Sequence, residues 1–130
     1  MNARYLLALM LFALPQQGAT ASEVWESKRG LFNVSYESEL HPIEANRIHH
    51  WVLHIENAAG DPVIAANIEV TGGMPLHNHG LPTRPRITEE LGNGNYRLDG
   101  MRFHMAGDWE ITINIDVDGK TDTVIVTLHL

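Results

Sequence analysis

Trp109-Glu110-Ile111-Thr112-Ile113-Asn114-Ile115-Asp116-Val117 decides the fold. Large apolar side chains occupy every odd position and polar ones every even position. Successive side chains of a strand point to opposite faces, so this period of two marks a strand with one dry face and one wet face. Asp118-Gly119 follows as a tight turn. Thr121 to Leu130 then alternates again, Val124, Val126, Leu128 and Leu130 against Thr123, Ile125, Thr127 and His129.

Working back from this hairpin, the same pattern recurs in short runs. Tyr96 to Met105 reads as a strand with a bulge or bend at Gly100, separated from Asp108 by Ala106-Gly107. Gly92-Asn93-Gly94-Asn95 is a tight-turn signal, and Arg84 to Leu91 before it reads as a further strand. Val63 to Thr71 carries Ile64, Ala66, Ile68 and Val70 on one face. Arg47 to Glu56 sets Trp51, Leu53 and Ile55 against His50, Val52 and His54, and ends in the turn residues Asn57 to Pro62. Leu31 to Glu37 supplies a first strand. About seven short strands without a helix predict an all-β, immunoglobulin-like two-sheet sandwich over residues 22–130. No repeat, low-complexity run or linker divides those residues, so they are expected to form one domain.

The first 21 residues are of another kind. Arg4 precedes an apolar run from Tyr5 to Leu14, and Ala19-Thr20-Ala21 closes the segment. A basic start, a short apolar stretch and an A-x-A site predict an export signal over residues 1–21. The run is too short to span a bilayer, so no lasting membrane anchor is expected after cleavage, and the location is expected to be periplasmic or otherwise exported. The 130-residue chain has no cysteine, which excludes disulfides and thiolate metal chemistry. Its formal net charge of −7 argues against a nucleic-acid partner.

Eight histidines and five methionines stand out against that background. Met74-Pro75-Leu76-His77-Asn78-His79-Gly80 places two imidazoles two residues apart, with a thioether three residues before the first. Flanking Gly72-Gly73 and Pro82 predict a loop. Residues i and i+2 lie about 6–7 Å apart on a strand and converge further on a bend. Imidazole suits copper, zinc and nickel; a thioether suits Cu(I). A second segment, Met101 to Trp109, brings two more methionines. Both read first as gap-filling core residues, although Met105, at the strand end beside Gly107, can reach a loop; on a regular strand His104 points to the opposite side. His49, His50 and His54 read as surface or interface histidines, since His50 and His54 are about 13 Å apart on one strand face.

Gly60-Asp61-Pro62-Val63, Met74 to Gly80 (M-P-x-H-x-H-G), Leu81 to Pro85, Gly94-Asn95-Tyr96 and Phe103 to Trp109 (F-x-M-x-G-x-W) together resemble the YtkA-like/FixH-like family over roughly residues 47–128. The resemblance implies an exported β-sandwich involved in copper handling, with some relatives linked to cytochrome oxidase assembly. It puts Met74, His77, His79 and Met105 at a copper site, Cu(I) favoured, and implies a copper-accepting protein as partner. The chain departs from FixH-like members in lacking a lasting N-terminal anchor, which separates it from a direct role on membrane-bound oxidase subunits.

The function expected is therefore a non-catalytic copper carrier or chaperone. An adaptor that binds a partner protein through the His loop is the alternative. A cupin-type metalloenzyme also uses H-x-H, but the next carboxylates after His79 are Glu89 and Glu90, and the later cupin motif is missing.

Overall fold

The structure, a computed structural model, describes residues 22–130. The segment read as an export signal lies outside the described residues. Nine antiparallel strands form an all-β sandwich that nearly closes into a barrel. They are β1 (Trp25–Glu26), β2 (Phe32–Ser38), β3 (His49–Asn57), β4 (Asn67–Met74), β5 (His79–Gly80), β6 (Arg86–Gly92), β7 (Asn95–Met101), β8 (Asp108–Val117) and β9 (Lys120–His129). β1 and β5 are two residues each, so seven full-length strands carry the architecture, as the alternation predicted.

The strand path is β1-β2-β3-β7-β6-β4-β8-β9, with β5 paired to β4. β4 meets β6 through a single pair, Glu69 opposite Arg86, whereas β4 is in continuous register with β8 from Asn67–Asp116 to Gly73–Glu110. That thin junction divides the path into two leaves, β1-β2-β3-β7-β6 and β5-β4-β8-β9. At the other edge Lys28 N–H donates to the Thr123 carbonyl at 2.9 Å, and Ser27 and Asp122 meet beneath it.

The odd positions of β8 bury Trp109, Ile111, Ile113 and Ile115. Trp109 lies opposite Leu128, Ile111 opposite Val126 and Ile113 opposite Val124 on β9. Asp118 and Gly119 both have positive φ, 51° and 73°, the conformation a two-residue hairpin turn requires. Trp51, Leu53 and Ile55 of β3, Val34 of β2 and Leu98 of β7 fill the facing side. A fully buried aliphatic or aromatic side chain stabilises by about 1.5–3 kcal/mol, so this continuous core holds a cysteine-free domain together.

Two strands depart from the alternation. The run from Val63 becomes regular only at Asn67. Val63 is buried and its N–H donates to the Ile55 carbonyl, Ala65 has φ 55°, and Ile64 is turned out to solvent. The Tyr96 hydroxyl holds this corner: it donates to the Val63 carbonyl at 2.7 Å and accepts from Ala66 N–H at 3.2 Å. The strand from Tyr96 ends at Met101 instead of Met105. Gly100, with φ 90°, bends the chain against Pro85, and Phe103 drops into the core while its carbonyl accepts from Asn46 N–H.

Candidate metal centre

The Met74–Gly80 segment is the tip of a hairpin at one end of the sandwich. β4 runs through both glycines to Met74, and the chain returns as β5, with Met74 opposite His79 and Gly73 opposite Gly80. The loop expectation holds for Pro75 to Asn78 only. Gly73 permits the tight return: a Cβ there would stand 2.5 Å from the His79 carbonyl oxygen. Within the loop His77 N–H donates to the Met74 carbonyl at 3.1 Å, and Asn78 takes φ 51°.

This geometry separates the donors by depth. Met74 is 1% exposed and packs into the core, its methyl against Gly107, where a Cβ would meet it at 2.7 Å. His77 and His79 are exposed, their ring centres 6.2 Å apart and their planes 21° from parallel. Met105 lies in the connection between β7 and β8, half-buried against the core, and its carbonyl accepts from Trp109 Nε1 at 3.1 Å. The hairpin and the β7–β8 connection therefore meet at the Met74–Gly107 contact, which brings the two methionine-bearing segments together.

His104 occupies the same place. Because β7 ends at Met101, the strand parity that would turn His104 away from Met105's side does not apply. Its ring centre is 5.5 Å from that of His79 and 5.4 Å from that of Trp109, edge-on to both. His104 Nδ1 is buried without a hydrogen-bond partner. The neighbouring Arg102 Nε is likewise unpaired, while its Nη2 donates to Asn46 Oδ1 at 3.3 Å.

An imidazole nitrogen binds a metal at about 2.0 Å, so a ligating ring centre sits about 3.2 Å from the ion and two rings on one ion are at most about 6.4 Å apart. Both imidazole separations fall inside that limit. The near-parallel His77 and His79 rings present faces to each other, so a shared ion requires rotation of an exposed side chain about its χ angles. Accordingly, among the described residues no group of three or more His, Asp or Glu side chains stands ready-formed around an ion position. The donor chemistry, imidazole plus thioether without thiolate, fits copper.

Four other histidines, His49, His50, His54 and His129, are already engaged. His49 is 3% exposed, not the surface residue expected of it; its Nδ1 faces the Arg47 carbonyl at 3.0 Å and its Nε2 accepts from Trp51 Nε1 at 3.2 Å. It shares the parity of Trp51 and follows it into the core. His50 Nδ1 contacts Glu39 at 2.9 Å, His54 lies between Asn95 and Glu56, and His129 pairs with Asp108.

A family model described as YtkA-like matches residues 26–114, which includes the hairpin and the whole β7–β8 connection. No curated protein and no solved structure matches the chain.

Proposed function

The chain belongs to the YtkA-like family, and from that premise we propose that it is a periplasmic copper-binding protein, a non-catalytic carrier of Cu(I). Met74, His77, His79 and Met105 are its donors. The observation that carries this reading is the pair of exposed imidazoles, 6.2 Å apart at a hairpin tip whose buried Met74 stands opposite His79 in strand register. Thioether and neutral imidazole bind Cu(I) without a charged ligand, and the exposed imidazoles allow an incoming ion to be captured and passed on.

Competition with a Cu(I) chelator tests the donor set. His77→Ala, His79→Ala and Met105→Leu are each expected to lower Cu(I) affinity by tenfold or more. Met105→Leu conserves volume, so its apo-protein should lose less than about 1.5 kcal/mol. Unchanged affinity together with a lower melting temperature would make Met105 a packing residue and reduce the site to the His loop.

A further inference from the structure

His104 stands outside the motif residues, yet it is the one imidazole at this end of the sandwich with a buried, unpartnered nitrogen. Leaving a buried polar atom without a partner costs about 1–3 kcal/mol, and such atoms in native proteins call for a missing partner. The neighbours described for the ring offer no such partner. Trp109 approaches edge-on, but its indole N–H is already donated to the Met105 carbonyl. His79, the other edge-on neighbour, belongs to the proposed copper site.

We propose that His104 is a third imidazole ligand of the copper site, an inference that rests on the copper reading above. The ring is 5.5 Å from His79, within the reach of two rings on one ion, and it stands on the connection that carries Met105. Its packing against Trp109 restrains it, whereas His77 and His79 are exposed and can turn to meet it. His104 is then the preorganised donor and the hairpin histidines close over the ion. The ligand balance shifts from two nitrogens toward three, all neutral.

Nuclear magnetic resonance of the full mature chain carrying 15N-labelled histidine, titrated with Cu(I) alone under anaerobic conditions, reads each ring separately. A ring nitrogen of His104 is expected to shift with those of His77 and His79 and to saturate at the same single equivalent. If His77 and His79 respond while His104 does not, His104 is a packing residue and the assignment falls with the copper reading intact. If no histidine responds, the copper reading falls and takes this assignment with it. As a second measurement, His104→Gln is expected to lower Cu(I) affinity at least tenfold without lowering the apo-protein's melting temperature. A loss below twofold overturns the proposal, and should the variant fail to fold, the titration of the native chain still decides.

Discussion

Asp122 is the residue on which closure of the sandwich turns. It is 4% exposed, and its carboxylate accepts from the Ser27 hydroxyl at 2.6 Å, from Thr123 N–H at 2.8 Å and from the N–H groups of Arg29 and Leu31. Burial opposes its ionisation, but these donors together outweigh burial and hold the carboxyl below its ordinary value. A carboxyl whose pKa is lower folded than unfolded stabilises fully above its unfolded value, about 3.9. That contribution is lost as the pH falls through the folded-state value. Asp122→Ala strands four donors, so it should cost about 1–3 kcal/mol at pH 7. The stability gap between the two proteins in urea melts should hold from pH 7 down to about pH 4 and narrow only as the pH falls further, through the lowered folded-state value; a gap that does not change over the whole acid range would mean that the charge is not what closes the edge. Asp122 was not legible as a core residue, because a polar side chain on a β9 core-face position reads as surface until its partners, more than ninety residues earlier in the chain, are known. His49 was misread by a related shortcut, chemical type being weighed above strand parity.

At the scale of elements, the period of two placed β8, β9, β3 and their faces correctly, since each buries most of one side. It misplaced the start of β4, at the end away from the hairpin, and the end of β7, beside it. Both errors trace to tertiary constraints: the Tyr96 hydroxyl turns the chain at Val63, and Gly100 bends it where Pro85 approaches. The same elements explain why the local spacing of Met74, His77 and His79 marked the hairpin tip as a place where donors gather, while the approach of His104 to His79 depends on where β7 stops and could not be read from spacing. Gly73 is the element-scale test. A Cβ there collides with a backbone oxygen at 2.5 Å, so Gly73→Ala must displace the His79 strand and should cost about 1–3 kcal/mol and most of the copper affinity. Gly80→Ala meets nothing nearer than 3.7 Å and should match the native protein in both melting and copper competition. Equal behaviour of the two variants would show that the hairpin geometry does not set the site.

Across the whole molecule, the site lies where the two leaves are joined by chain rather than by hydrogen bonds. β4 and β5 belong to one leaf and β7 to the other, and the connection from Arg102 to Gly107 crosses between them. The β4–β6 junction is one residue pair wide, so little else holds the leaves in register on that side. An ion shared by the hairpin and the crossing connection adds a cross-link between the two leaves, and binding that favours the native state raises its stability by about 2.7 kcal/mol at a hundredfold excess over Kd. Beyond that global gain, segments that open locally should be protected only near the ion. Hydrogen exchange on Cu(I) loading should slow at Leu76–Gly80 and Arg102–Gly107, and remain unchanged at the Asp118–Gly119 turn, about 30 Å away along β8. Slowing confined to Leu76–Gly80 would place the ion on the hairpin alone and remove both Met105 and His104 from its coordination. Slowing of the core strands with no added protection at Leu76–Gly80 or Arg102–Gly107 would instead mark copper as a global stabiliser, with no special hold on the connection between the leaves.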